Sequence, residues 1–195
     1  MFFLLRFRTR IVIVRIMAHL TTSVEYGIHC LLWLVDSEAP LSSRDLAELQ
    51  GISPTFLAKI FPKLEMAGIV AASEGVRGGY RLVRPAKDIT FLEIVDAIEG
   101  EKPLFDCQQI RGRCALFQGT APAWSTDGVC AVHAVMLQAE KAMREALARQ
   151  SLADVHATLG RKTPREFKGQ VQDWMSDRLG ARRPGRPARG NKPPG

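Results

Sequence analysis

The stretch LSSRDLAELQGISPTFLAKIFPKLEMAG, residues 41–68, carries the start and stop signals of two short helices that follow each other directly. Ser42 has the side chain of a helix cap, with an acidic residue three positions later, and Gly51 fits the left-handed stop of a helix. Ser53 and Gly68 bound the second helix in the same way, with a proline in its first turn. Two capped helices joined by so tight a turn predict a helix-turn-helix.

The next stretch, IVAASEGVRGGYRLVRP, covers residues 69–85 and predicts a β-hairpin, because two apolar runs flank a glycine-rich turn. A hairpin directly after a helix-turn-helix has the position of a wing. Residues 54–87 also hold six Lys or Arg against two Glu, whereas residues 17–160 as a whole hold 13 basic and 17 acidic residues. This local excess predicts a DNA-binding surface, with a solvated basic face as the alternative. The predicted DNA-contacting residues are Ser53, Thr55, Lys59, Lys63, Arg77, Gly78, Gly79, Tyr80 and Arg81.

Helical spacing of apolar residues predicts further helices around this unit. One covers residues 22–36, one begins at a capping box formed by Thr90 and Glu93, and a long one runs from 131 to about 149. The apolar stripe of the long helix fits an intramolecular core or a dimer interface, and we favour the dimer because operators are usually two-fold. The fold class is therefore mainly α with a small β-hairpin wing: a winged helix-turn-helix plus a long C-terminal dimerisation helix.

The two ends of the chain differ from residues 17–160 in composition. Residues 1–16 hold four arginines and no acidic residue, which interrupts the apolar run that an export signal or a membrane span would need. We interpret them either as a disordered extension or as an upstream start before a native chain that begins at Met17; a helix on a membrane surface is the alternative. We predict a basic, disordered tail over residues 161–195, which either has no role or attracts polyanions non-specifically. A reducing, cytoplasmic location and no membrane partner are expected.

Three of the four cysteines lie in or at the end of an irregular segment, residues 101–130, between the winged domain (17–100) and the last helices (131–160). Cys107, Cys114 and Cys130 are followed by His133 in a Cys-x6-Cys-x15-Cys-x2-His pattern. Thiolates with an imidazole suit an iron–sulphur cluster or zinc, and the lack of Cys-x2-Cys pairs favours the cluster. A metal-free thiol sensor is a further alternative. The pattern lacks the oxyanion device and third orienting group of a Cys–His nucleophile, which argues against an enzyme.

Residues 17–160 resemble the Rrf-type winged helix-turn-helix transcriptional regulators, the group that contains the iron–sulphur regulator IscR and the nitric-oxide sensor NsrR. The resemblance is carried by VEYGIHCLLWL (24–34), by the helix-turn-helix stretch, by RGGYRLVRPAKDITFLEIVDAIEG (77–100) and by the cysteine segment behind them. It implies a homodimer that binds palindromic promoter DNA, and we expect a repressor. It also implies an iron–sulphur cluster whose redox state, damage or loss changes the affinity for DNA.

The resemblance also suggests cluster ligands. The Cys-x2-His ending is similar to that of IscR and implies His133 as the fourth ligand beside the three cysteines, although the wide spacing of Cys114 and Cys130 departs from the family. The stretch SVEYGIHC (23–30) resembles the redox regulator RsrR, which implies Glu25 and His29 of the partner subunit as ligands with only two loop cysteines, Cys130 first. A plain surface pair is the alternative for these two residues. We favour a 2Fe–2S over a 4Fe–4S cluster, with zinc as the alternative metal.

Overall fold

A computed structural model describes residues 20–37, 39–73, 75 and 78–181 of the 195-residue chain. Residues 1–19, which include the expected N-terminal extension, lie outside the described residues. The described helices are α1 (Thr22–Leu34), α2 (Ser43–Gln50), α3 (Pro54–Met66), α4 (Phe91–Glu99), α5 (Ala123–Thr126), α6 (Ala131–Ala148), α7 (Leu152–Lys162) and α8 (Arg165–Ala181); the strands are β1 (Val70–Ser73) and β2 (Gly79–Leu82). Short 3₁₀ turns cover Ala86–Asp88, Ile110–Arg113 and Ala115–Phe117. None of the helices in the described ranges has the length and apolar content needed to cross a bilayer.

The helix-turn-helix forms where the sequence predicts it. The hydroxyl of Ser42 accepts a hydrogen bond from the backbone N–H of Asp45 at 3.1 Å, which satisfies a free donor at the start of α2. Gly51 ends α2 in the left-handed region, with φ at +70°. The third helix continues past Pro62 to Met66 without losing its last turn.

The core lies between α1, α3 and α4. Leu31, Phe61 and Ile94, one from each helix, are completely buried. The helices approach closely at Gly27 of α1, where an added Cβ would lie 2.5 Å from the terminal carbon of Ile98. A side chain at this position would therefore require the Ile98 side chain to move or α1 and α4 to separate.

The wing is a two-stranded antiparallel hairpin that pairs Val70 with Leu82 at its base. It is fixed to the helix-turn-helix by an additional bridge in which Leu41 and Tyr80 exchange backbone hydrogen bonds of 3.1 and 2.8 Å. At Gly79 an added Cβ would meet the Leu41 carbonyl at 2.5–2.6 Å, so only glycine permits this contact.

The long helix α6 packs along α4 and returns the chain to the winged domain. There, the N–H of Leu152 donates to the carbonyl of Ile89 at 2.8 Å, and the N–H of Phe91 donates to the carbonyl of Gln150 at 2.9 Å. The fully buried Leu152 then starts α7 within the main core. The winged domain and the last helices are therefore one packed unit.

The expectation of a disordered tail over 161–195 is wrong for the part that the structure describes. Residues up to Lys162 complete α7, and α8 follows to Ala181. The physical reason is a set of apolar residues at helical spacing, Phe167, Val171 and Met175. Met175 packs against the main core. Residues 182–195 lie outside the described residues.

Candidate DNA interface and cysteine loop

The outer face of α3 carries exposed polar residues near its N-terminus. Ser53, Thr55 and Lys59 are exposed, whereas Leu57 and Ile60 on the opposite face are buried. Ser53 is the N-cap residue of α3, but its hydroxyl makes no capping hydrogen bond to the backbone of the helix. This end of α3 can thus present two hydroxyls and an ammonium group to an anionic or hydrogen-bonding surface.

Lys63, a predicted DNA contact, is exposed on α3 and also makes a contact within the fold. Its ammonium group donates a 2.6 Å hydrogen bond to the carbonyl of Ile98, near the C-terminus of α4. A cation is stabilised there because the last carbonyls of a helix are unpaired and carry partial negative charge. Lys63 therefore links α3 to α4.

Of the predicted wing residues that the structure describes, Arg81 faces solvent, whereas Tyr80, Gly79 and Gly78 make contacts within the fold. Arg81 is exposed on β2 and keeps its charge at the surface. Tyr80 is half-buried with its ring centroid 4.5 Å from that of Phe61, and burial, followed by the charge of Glu65, raises the pKa of its hydroxyl. Gly79 is required for the contact with the chain before α2, and the N–H of Gly78 donates to the hairpin turn at 2.8 Å. Arg77 lies outside the described residues.

The cysteine loop is held together by a charged residue that the sequence analysis did not single out. The guanidinium group of Arg111 donates hydrogen bonds to three successive carbonyls, those of Thr126, Asp127 and Gly128, at 2.6, 3.0 and 2.6 Å. This cation therefore joins the two halves of the loop. No spacing rule in the sequence marks this arginine, because its partners are backbone atoms fifteen or more residues away.

Two of the predicted ligands lie together at the N-terminus of α6. Hydrogen bonds from the backbone N–H groups of His133 and Val132 lower the pKa of the Cys130 thiol, and the charge of Arg111 and a hydrogen bond from Cys107 act in the same direction. The thiolate form is therefore easier to reach at Cys130 than at an unperturbed cysteine, and Cys107 is its immediate neighbour. Cys30 is different, because burial on the core-facing side of α1 raises the pKa of its thiol to about 12.

The side chains of the remaining predicted ligands do not join this pair. Cys114 is exposed where the two 3₁₀ turns of the loop meet, and the ring of His133 packs against Phe105 at a centroid distance of 6.0 Å. Glu25 and His29 are exposed on α1, one helical turn apart. Within the described ranges no three side chains of His, Cys, Asp or Glu converge as a metal-binding group. One subunit thus brings together Cys107 and Cys130 and leaves the other candidates separate.

An exposed helix-turn-helix with a wing tied to it, backed by a loop that carries thiols, defines a winged-helix DNA-binding regulator. A family profile described as Rrf2, iron-dependent transcriptional regulator, matches residues 20–158. The chain belongs to the Rrf2 family of transcriptional regulators and is not an enzyme. Because the match ends at 158, helix α8 lies beyond the family profile.

Individual relatives agree with this placement. The protein rrf2 of Nitratidesulfovibrio vulgaris is 33% identical over 138 residues, which cover 70% of this chain and 85% of that protein. IscR of Vibrio atlanticus is 34% identical over 103 residues, which cover 52% of this chain and 58% of that protein. The structure of T. potens IscR matches with a TM-score of 0.56 and 26% identity, covering 74% of this chain and 90% of that one. CymR, the global cysteine regulator of B. subtilis, has the same fold, with a TM-score of 0.56 at 22% identity over 71% of this chain and 95% of that one.

Proposed function

We propose that this regulator binds palindromic promoter DNA as a homodimer and controls that binding through an iron–sulphur cluster that senses redox, nitric-oxide or iron and sulphur status. We propose that it acts in the cytoplasm, as a repressor. The observation that carries the proposal is the Cys107–Cys130 pair beside the N-terminus of α6, on the same chain as an exposed recognition helix. The resemblance to IscR proteins supports an iron–sulphur cluster over other sensors.

The donor set fits such a cluster in its chemistry. Thiolates are the usual protein ligands of iron–sulphur clusters, and N–H groups directed at the sulphur atoms stabilise them. Cys130 has both features, since two backbone N–H groups point at its sulphur and Cys107 lies next to it. We propose Cys107 and Cys130 as ligands in every scheme, with the set completed by Cys114 and His133 or by Glu25 and His29 of the partner subunit. When bound, a 2Fe–2S cluster supplies a one-electron redox centre that oxidants and nitric oxide can attack.

The long helix α6 supports homodimerisation. Val132 and Val135 are 59% and 62% exposed, and Ala139 and Ala142 continue the same stripe at spacings of three and four residues. An apolar stripe with this period is typical of a helix that packs against a second helix. A second copy of α6 would cover it and would place two recognition helices on one duplex.

A contact path connects the loop with the recognition helix. The N–H of Leu104, at the start of the loop, donates to Glu140 of α6 at 3.0 Å, and Arg144, one turn later, pairs with Asp96 of α4. The carbonyl of Ile98 in the same helix accepts the hydrogen bond from Lys63 of α3. We propose that rearrangement of the loop shifts α6 against α4 and so changes the spacing of the two recognition helices.

The direct test is an anaerobic absorbance spectrum with an iron and sulphide assay on the full chain. We expect visible absorbance bands and bound iron and sulphide in the native protein, and their loss in Cys107→Ala and Cys130→Ala. Cys114→Ala, His133→Ala, Glu25→Ala and His29→Ala then separate the two ligand schemes. Cys30→Ala is the matched control, because its thiol is buried away from the loop. A colourless protein with stoichiometric zinc would overturn the cluster proposal.

The neighbouring thiols also favour a second candidate, a metal-free thiol sensor. Hydrogen peroxide would oxidise Cys130 to a sulfenic acid with release of water, and attack by Cys107 would then form a disulfide with release of a second water. Counting free thiols in metal-free protein before and after peroxide separates this candidate from the first. Loss of two thiols together with a change in DNA affinity would support it.

A further inference from the structure

An aromatic side chain lies on the exposed side of the first turn of α3. Phe56 is 36% exposed, although the next residue, Leu57, is completely buried. The backbone N–H of Phe56 donates to the carbonyl of Ser53 at 3.0 Å, which places it in the first turn. Side chains of a helix lean toward its N-terminus, so the ring of Phe56 lies over the end of α3 that carries Ser53 and Thr55.

A second aromatic residue holds this ring in place. Tyr26 of α1 meets Phe56 edge to face, with ring centroids 5.3 Å apart and an angle of 72° between the ring planes. Tyr26 is itself half-buried and packs against the main core. Aromatic contacts of this geometry are favourable beyond the area that they bury. The contact therefore supports Phe56 from α1 and leaves part of its ring uncovered.

The neighbours of Phe56 on α3 are predicted DNA contacts. Thr55 precedes it, and Lys59 follows three positions later, which makes the two side chains neighbours on the helix surface. Thr55, Phe56 and Lys59 are all exposed. Beside Phe56 and Tyr26, an open groove of about 470 Å³ lies between the start of α1 and the turn before α3. Single exposed aromatic residues are common on protein surfaces, so it is the place of Phe56 in α3 that points to a function.

The chemistry of the major groove restricts what such a ring can recognise. Base pairs differ there in their hydrogen-bond donors and acceptors and in one apolar group, the C5 methyl of thymine. A phenyl ring makes no conventional hydrogen bond, so the methyl group is the feature that it can distinguish. Contact between the two also removes apolar surface of both partners from water.

We propose that Phe56 is a specificity-determining residue that contacts the C5 methyl group of a thymine in each half of the DNA site, with Tyr26 as its positioning residue. The inference rests on the promoter binding proposed above and deepens it by naming a base and the group on that base that α3 recognises. Sequence selection at this position then depends on one methyl group and not on a hydrogen bond.

The test removes the methyl group from the DNA and keeps the hydrogen bonds of the base pair. A site is selected from random duplexes with the native full chain, and each thymine in it is replaced in turn by deoxyuridine, which lacks only the C5 methyl. We expect one position in each half-site at which this replacement weakens binding about fourfold, because burial of a methyl-sized group contributes at that level. Fluorescence anisotropy titrations give the dissociation constants.

Substitution of Phe56 should remove this dependence on the methyl group. We expect Phe56→Ala to bind the thymine and deoxyuridine duplexes equally at that position, within about 1.5-fold, and to keep its response at other thymines. Phe56→Gln, which keeps a long side chain but makes it polar, gives the same expectation and serves if the alanine variant does not fold. Met66→Ala, at the other end of α3 and 89% exposed, is the matched control and should retain the fourfold ratio.

A variant of the supporting residue tests the positioning role. Tyr26→Leu removes the edge-to-face contact, and we expect it to reduce the ratio to about twofold. A purely structural role of the aromatic pair would lower the thermal stability of the variants and leave the ratio of thymine to deoxyuridine affinities unchanged. An unchanged ratio in Tyr26→Leu would overturn the role of Tyr26, and an unchanged ratio in a folded Phe56 variant would overturn the role of Phe56.

The scan with the native protein needs no variant and separates two kinds of failure. A selected site without thymine, or one at which every deoxyuridine is tolerated, would overturn the inference and leave promoter binding in place. If no site is enriched from random duplexes, promoter recognition by the helix-turn-helix fails, and the inference fails with it.

Discussion

Arg144 of α6 and Asp96 of α4 form a doubly hydrogen-bonded ion pair, with both nitrogen–oxygen distances at 2.9 Å. The two residues join the helix that follows the cysteine loop to the helix that contacts α3. A pair with this geometry specifies orientation as well as distance, because both guanidinium N–H groups must face both carboxylate oxygens. It is therefore suited to transmit a movement of α6 to the winged domain.

Replacing Arg144 by glutamine should weaken this link. We expect the free energy of unfolding to fall by about 0.5–1.5 kcal/mol, since the pair is partly exposed, as measured by urea denaturation. Lys141→Gln is the control, because its 3.8 Å pair with Glu145 is exposed and monodentate. A double-mutant cycle with Asp96→Asn that finds no coupling energy would contradict the role assigned to the pair.

Gly27→Ala should destabilise the core. The added methyl group would lie 2.5 Å from Ile98 and 3.2 Å from Ile60, and we expect a loss of about 1–3 kcal/mol in the free energy of unfolding. Gly169→Ala in α8 is the matched control, since nothing lies within 4 Å of its added methyl group and alanine favours a helix. Thermal denaturation of both variants checks the contrast, and equal effects would refute the tight packing of α1 on α4.

The two capping-box carboxylates should make the fold sensitive to acid. Burial by itself would raise the pKa of Glu93, but hydrogen bonds from Thr90 and Arg84 hold it below its ordinary value. The hydroxyl and N–H of Ser151 lower the pKa of Asp154 in the same way. A carboxylate with a lowered folded pKa stabilises the fold above its unfolded pKa, and this contribution is lost as the pH falls through the folded value.

We therefore expect the free energy of unfolding to decrease as the pH falls below about 4. The variants Glu93→Gln and Asp154→Asn should be less stable than the native protein at neutral pH and should lose less on acidification. Asp173→Asn on the exposed side of α8 serves as the control. Urea titrations at a series of pH values measure the slopes, and identical slopes for all four proteins would count against the capping boxes.

Arg111→Ala should loosen the cysteine loop without unfolding the winged domain. It removes the hydrogen bonds to the carbonyls of residues 126–128, and we expect faster proteolysis within residues 107–130 and lower iron content. Arg113→Ala removes a single 3.2 Å bond to the Gln108 carbonyl and is the control. Limited proteolysis with mass spectrometry gives the measurement, and equal cleavage of both variants would contradict the role of Arg111.

Val135→Lys should dissociate the proposed dimer. The side chain is exposed in one subunit, so the substitution leaves the monomer fold intact while it places a charge in the apolar stripe. Sedimentation velocity should then report a monomer, with weaker DNA binding. Leu137→Lys is the control, because this exposed position of α6 is two or five residues from each member of the stripe. A dimer that persists in Val135→Lys would place the interface elsewhere.

The elements that could be predicted from sequence are those whose causes are local. The caps Ser42, Thr90 and Ser151 act within three residues of their own helices, so the starts of α2, α4 and α7 follow from short patterns. The pairing of the wing follows from the turn between its strands. The helix starts and the hairpin could therefore be predicted without knowledge of the rest of the chain.

The features that could not be predicted from sequence arise where segments distant in the chain contact each other. Lys63 is a predicted DNA contact, and only the fold shows that its ammonium group also donates to the Ile98 carbonyl, at 2.6 Å. Gly79 is a predicted contact as well, and only the fold shows the chain before α2 against it. The basic residues around α8 obscured the helical spacing of Phe167, Val171 and Met175 within a stretch of high charge. Of the site, the sequence identified the thiols and the recognition helix, but the adjacency of Cys107 and Cys130 depends on how the loop folds.

The burial of Cys30 has a practical consequence for experiments on this protein. In the folded chain Cys30 is buried in the core, whereas the three loop cysteines are partly or fully exposed to water. On metal-free protein, a gentle alkylating reagent should therefore label three sites in the folded chain and four after denaturation. Alkylation of Cys30 therefore measures the unfolded fraction, and the same mass spectrum shows how many of the three loop thiols are free.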